Sequence, residues 1–166
     1  ARDEGRNDAQ IRYFADAASS VNALRAGDVD VVWAMQAPQL LDALPDEIGV
    51  QVGTTNGEVL LSMNNNAAPF DDPDVRRAVA HAIDRDALNQ VVYNGMATDT
   101  GGAPVPPTDP WFSSHNYYPF DPDRARELLA GRTPEITITV PSLPYAQTAA
   151  ELIFSQLRDV GFTVHL

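Results

Sequence analysis

Neither cysteine nor lysine occurs anywhere in the 166 residues. The first absence removes disulfides, thiolate catalysis and cysteine-ligated zinc together. The second removes Schiff-base chemistry, because no side-chain amine is present to condense with a carbonyl. Histidine is nearly as scarce. His81, His115 and His165 stand far apart, matching neither the helical pair of a metalloprotease nor a zinc-finger spacing, and each reads as an ordinary surface or half-buried residue. A nucleophile elbow, a phosphate loop and a dinucleotide fingerprint are also missing, so no catalytic residue, metal or cofactor is assigned.

Positive charge is in short supply as well. The 11 basic residues, all arginine, face 23 acidic ones, for a net charge of -12 and a pI near 4.4. Phosphate binding needs a basic face, so nucleic acid is excluded as a partner. Arginine without lysine reads as the codon bias of a GC-rich genome rather than a salt adaptation, since charged residues make up only 20% of the chain. No apolar run approaches the ~18 residues needed to span a bilayer. The chain opens ARDEGRND with neither initiator methionine nor signal peptide, and is read as mature or excised from something longer.

What is present is enough for a core. A hydrophobic content of 44% excludes a disordered chain, and the length corresponds to one domain. Residues 1–9 are polar and expected to fray. Residues 10–14 read as a strand, Asp16 as an N-cap, and Ala17, Ala18, Val21 and Leu24 as a helix stopped by Gly27. Residues 29–33 alternate and predict a second strand, parallel to the first in a βαβ unit. A short helix is expected over 38–44, then strands over 48–52 and 59–63 joined by a hairpin at Asn56-Gly57, which makes the sheet mixed.

Three Asp-initiated helices follow. Asp72-Pro73 opens one with the stripe Val75, Ala78, Val79, Ala82 and Ile83. Asp84 opens the next, with Ala87, Leu88, Val91 and Val92 before Gly95. Residues 96–119 carry five of the 13 prolines and no period, as a long ordered and functional loop would. Asp121-Pro122 opens the third, with Ala125, Leu128 and Leu129 before Gly131. A strand over 136–140, a long helix from Ala146 to Val160 stopped by Gly161, and a strand over 162–166 complete the pass. The abrupt end on a strand reads as a truncation.

Candidate binding residues are few. Asp71, Asp72 and Asp74 lack the alternation and turn glycine of a calcium loop and read as helix capping, while Arg76 and Arg77, a turn from those aspartates, read as local ion-pair partners before carboxylate ligands. Trp33, at the end of a predicted strand, and Trp111-Phe112, in the proline-rich loop, are stronger. Aromatic rings give stiff contact area, and ligands in α/β sheets sit beyond the carboxyl ends of strands. For Trp33 core packing weighs equally. Asn64, Asn65 and Asn66 follow a strand, where their amides either meet peptide-like groups or form a turn.

The order of motifs resembles a known family. LRAGDVDVV, then LLSMNNNAAPFDDPDVRRAVAHAIDRDAL, VVYNGMAT, PVPP, YYPFDPDRARELLAG and finally DVGFTVHL are similar, over residues 10–166 in unbroken order, to the family 5 extracellular solute-binding proteins, the dipeptide, oligopeptide and nickel receptors of ABC importers. The resemblance implies an α/β lobe with a mixed sheet, of the type II periplasmic-binding-protein-like fold, with residues 10–166 as most of the second, C-terminal lobe. Arg76, Ala78 and Asp84 fit the family's VR-A---AIDR signature, which implies helix packing and capping. Trp33 to Gln36 and the stretch up to Trp111 resemble cleft-facing segments. The ligand-binding set is thus Trp33, Met35, Gln36, Asn64, Trp111 and Phe112.

The function implied is capture of a small peptide or similar solute, at the extracellular face of the membrane or in the periplasm, for a membrane ABC permease. Two other classes compete. A free-standing interaction module would bind a partner, or self-associate, through the exposed cleft face. A hydrolase would need a carboxylate pair such as Asp109 and Asp121, a weak signal in so acidic a chain.

Overall fold

The computed structural model describes residues 9–35, 37–53 and 59–166. The chain divides into two compact units, Ala1–Ile48 and Gly49–Leu166. In the first unit, helix α1 (Ala17–Ala26) is capped as expected: Asp16 accepts from the Ser19 backbone N–H at 2.7 Å, and Gly27 closes the helix at φ +76°. Val21 and Ala23 are its buried residues. A 3-10 helix, Pro38–Ala43, stands where a short helix was expected.

The second unit contains α2 (Pro73–Ala82), α3 (Arg85–Tyr93), α4 (Pro122–Leu129), β1 (Glu135–Thr137), α5 (Pro144–Val160) and β2 (Thr163–His165). Each of α2, α3 and α4 starts on the aspartate the sequence nominates. Asp72 accepts from Asp74 N at 2.8 Å, Asp84 from Ala87 N at 2.9 Å and Asp121 from Arg124 N at 2.9 Å. The predicted stripe of α2 is buried at Val75, Ala78, Val79 and Ala82. It packs chiefly on α4, through Ala125 and Leu129. Alanine at Ala78, Ala82 and Ala125 lets the helices approach closely, since side-chain size sets the interaxial distance. Leu157 and Val160 of α5, Phe162, and Ile136 and Val164 of the strands complete one core.

β1 and β2 pair in parallel, Ile136 opposite Val164, with α5 as the crossover. Both are shorter than predicted. The other four predicted strands are corrections: residues 10–14, 29–33, 48–52 and 59–63 form no ladder among the described residues, and the sheet there is a parallel pair rather than a mixed sheet. The reason is physical. A strand is held by a neighbour that accepts its N–H groups, and these segments have none among the described residues; Ile11, Tyr13, Val31, Val50, Val52 and Val59 lie exposed there. The expected Asn56-Gly57 hairpin lies outside the described residues, as does the polar opening except Ala9.

Two caps carry a pH dependence. The guanidinium of Arg132 hydrogen-bonds Asp72 and, with the Asp74 N–H, holds its carboxyl below the ordinary value of 3.8. The backbone N–H and the hydroxyl of Ser19 do the same for Asp16. A carboxyl with a depressed folded-state pKa adds stability above its unfolded value, and that stability is lost as pH falls through the folded one. The melting temperature is therefore expected to fall below about pH 4 from these two groups, after a plateau above about pH 5. Asp72→Asn keeps a capping oxygen but removes the charge, and should flatten the acid limb in melts recorded against pH. An unchanged acid limb would exclude Asp72 as a contributor.

Candidate functional site

The proline-rich loop is held at three places by the helices beneath it. At its entry, Asn89 of α3 donates to the Ala97 carbonyl at 2.9 Å and accepts from its N–H at 3.0 Å. At its exit, His81 of α2 meets the Pro119 carbonyl through Nδ1 at 2.8 Å, while Asp121 N donates to the His81 carbonyl at 2.8 Å and the imidazole packs edge-on against Tyr118. Between them, Arg85 reaches both limbs of the loop. Asn89 carries no signal in the sequence, His81 reads there as an ordinary residue, and Arg85 closes the AIDR signature directly after the Asp84 cap.

The loop's far side has its own brace. Asp109 N donates to the Pro106 carbonyl at 2.9 Å and Phe112 N to the Asp109 carbonyl at 3.0 Å, while the Asp109 carboxylate accepts from Trp111 N at 2.8 Å. This turn fixes the backbone at Trp111 and leaves the indole 86% exposed, with Phe112 half-buried beside it. An aromatic side chain presented on a braced turn offers a ligand contact area at little ordering cost.

The remaining candidates are placed as follows. Asn64 is exposed and uses its side chain to form a turn, Oδ1 accepting from Asn66 N at 3.1 Å, with Ala67 N donating to its carbonyl at 3.2 Å. Trp33 is 90% exposed in the first unit, where Met35 is half-buried. Gln36 lies outside the described residues. Trp111 and Phe112, neighbours in sequence, share the braced turn. Asp109 and Asp121, offered as a hydrolytic pair, both serve local turns and caps. Arg77 pairs with Asp74 at 2.9 Å, the local ion pair expected of it, whereas Arg76 donates to the Phe70 carbonyl at 2.6 Å and hydrogen-bonds backbone in place of a carboxylate.

A separate groove of about 370 Å³ opens between residues 60–63 and 136–139, lined also by Phe70 and Val79. It contains none of the nominated residues. Among the described residues no group of three or more His, Asp or Glu side chains is arranged to hold a metal. No helix among them is long and apolar enough to cross a membrane.

Comparison with known proteins agrees with this architecture. The family model for bacterial extracellular solute-binding proteins, family 5 (middle), matches residues 7–166. The glutathione-binding protein GsiB of Pectobacterium atrosepticum is 38% identical over 111 residues, 64% of this chain and 21% of the relative. That of Escherichia coli K12 is 40% identical over 106 residues, 61% of this chain and 20% of the relative. Among solved structures, the solute-binding protein MoaA of A. tumefaciens R10, in complex with mannopinic acid, superposes with a TM-score of 0.79 at 25% identity, over 93% of this chain and 33% of that one. AgaA of the same strain, in complex with agropinic acid, gives 0.72 at 28% identity, over 92% and 33%. The chain spans about a fifth of the length of the curated relatives and about a third of the solved ones. Its fold is the α/β fold of periplasmic binding proteins, and the chain belongs to the family 5 bacterial extracellular solute-binding proteins.

Proposed function

We propose that residues 10–166 form most of one lobe, the second, of a two-lobe receptor that captures a small peptide or peptide-like solute for an ABC importer and carries out no chemistry itself. The observation that carries this reading is the braced turn presenting Trp111 to solvent, in a chain of this family. Relatives named for glutathione, itself a tripeptide, favour a peptide-like ligand. Binding would close the two lobes and shift a hinge equilibrium that a membrane permease reads, at the extracellular face of the membrane or in the periplasm. Trp111, Phe112 and Trp33 supply contact area, with Met35 and Gln36 just after Trp33 in sequence, and Asn64, as further contacts.

A ligand held on one wall keeps much of its surface wet and lacks opposing polar partners. The 166-residue chain alone should therefore give no measurable heat with glutathione or a di- to pentapeptide library in calorimetry, whereas a full-length receptor carrying it should bind at least one of them in the micromolar range. Micromolar binding by the 166-residue chain would overturn the part-lobe reading. Failure of the full-length protein to bind any of these probes would overturn peptide capture.

A further inference from the structure

Residues 102–115 form a loop whose two ends meet. Gly101, at φ +65°, lies so close to the other limb that a Cβ there would stand 3.3 Å from Asn116 Cα and 3.4 Å from the His115 carbonyl oxygen. That is the arrangement of an Ω-loop, a compact excursion closed at its neck and often functional.

The neck is fastened by one side chain. Arg85, at the start of α3, donates from Nε to Asp99 Oδ1 at 2.8 Å, from Nη2 to Asn116 Oδ1 at 3.0 Å and from Nη1 to the Tyr118 carbonyl at 3.0 Å. The first acceptor lies on the incoming limb and the other two on the outgoing limb. Both side-chain acceptors also shape their own limbs: Asp99 Oδ1 accepts from Gly101 N at 2.9 Å, and Asn116 Oδ1 from Tyr118 N at 3.2 Å. A rigid planar fork can satisfy three divergent acceptors at once, which an ammonium on a flexible stem does far less well.

We propose that Arg85 is a positioning residue: it clasps the neck of the 102–115 loop and so holds the Trp111 turn preformed on the α2–α3 platform. Its consequence for affinity rests on the peptide-capture reading above. The clasp itself does not. Without it the two limbs would be tied down separately, by Asn89 and His81, and nothing on α3 would join one to the other. A ligand meeting Trp111 would then have to order the loop as it bound.

The test uses the full-length protein with Arg85→Met, Arg85→Lys and a charge-preserving control, Arg124→Lys, whose guanidinium pairs with Glu127 on the exposed face of α4. Hydrogen exchange across residues 99–118 should quicken by about ten- to a hundredfold in Arg85→Met, as loss of charge-assisted hydrogen bonds predicts, while protection in α2 and α4 is kept. Steady-state anisotropy of tryptophan emission should fall in the same variant. Arg85→Lys should restore little, because it keeps the charge and loses the fork, and Arg124→Lys should leave exchange at 99–118 unchanged. In calorimetry with glutathione and the peptide library, Arg85→Met should weaken binding about tenfold at an unchanged melting temperature, the arithmetic of a lost preorganisation. Unchanged exchange at 99–118, or full rescue by lysine, would overturn the clasp. A loosened loop in a protein that binds none of the probes even as wild type would support the clasp and overturn peptide capture instead.

Discussion

Replacing Leu157 with alanine is expected to destabilise the second unit by about 2–5 kcal/mol, toward the upper end of that range. Leu157 is 0% exposed on α5, in the cluster formed with α2, α4 and both strands. The cost of a large-to-small change depends on how far the surroundings can collapse into the hole. Here three members of the cluster are Ala78, Ala82 and Ala125, which have no rotamers to swing inward. Urea denaturation is the direct measurement, with Val91→Ala as the control. Val91 lies exposed on α3 and its truncation should stay within about 0.5 kcal/mol. A loss below about 1 kcal/mol for Leu157→Ala would mean that α5 does not seat on the core as described.

Trp111→Ala should behave in the opposite way. The indole is largely solvated, so its removal takes little from the folded state, and the melting temperature should stay nearly constant. In a full-length receptor the same change should weaken ligand binding by about 2 kcal/mol, roughly 30-fold, the effect of removing an aromatic anchor. The pair of readouts separates site from scaffold. A core tryptophan would lose about 3–5 kcal/mol of stability on truncation. A large fall in stability would therefore assign Trp111 to packing, and normal affinity would move the site away from this loop.

The helices of this chain are legible because their instructions are local. Asp16, Asp72, Asp84 and Asp121 announce each start within three residues of the N–H they cap, and Gly27, Gly95, Gly131 and Gly161 stand at or just beyond the ends, all at positive φ. The alternating segments carry less information. Alternation says which face of a strand would be apolar, but not that a second strand lies alongside, and the pattern at Val31, Val50, Val52 and Val59 has none among the described residues. Asn94 and Ala130 illustrate a smaller miss. Both take the left-handed cap at φ +50° one residue ahead of the glycine expected to do so.

The candidate site was half legible for the same reason. Aromatic residues in a proline-rich stretch without a period mark a functional loop, and Trp111 was nominated on that ground. The cleft-facing reading implies an exposed ring, but not how the loop that bears it is carried. The carrier is Arg85, whose acceptors lie 14, 31 and 33 residues further along the chain. At such separations a guanidinium in a signature full of charges looks like any other, and only the fold tells it apart.

The parallel pairing of β1 with β2 across α5 sets an order on the chain as it is made. Helices α2 and α4 are complete at Leu129, but Leu157 and Val160 come about thirty residues later, and β2 later still. At the ordinary pace of about 5–20 residues per second, the alanine-lined contact between α2 and α4 waits roughly 2–6 seconds for its cover after α4 leaves the ribosome. During that interval Val75, Val79 and Leu129 lack the part of their cover that Leu157, Val160, Phe162 and Val164 supply. The nascent chain is therefore most vulnerable to capture by chaperones or by its neighbours on the same messenger just before α5 arrives, and arrival of that one helix closes the core and brings the second strand within reach of the first.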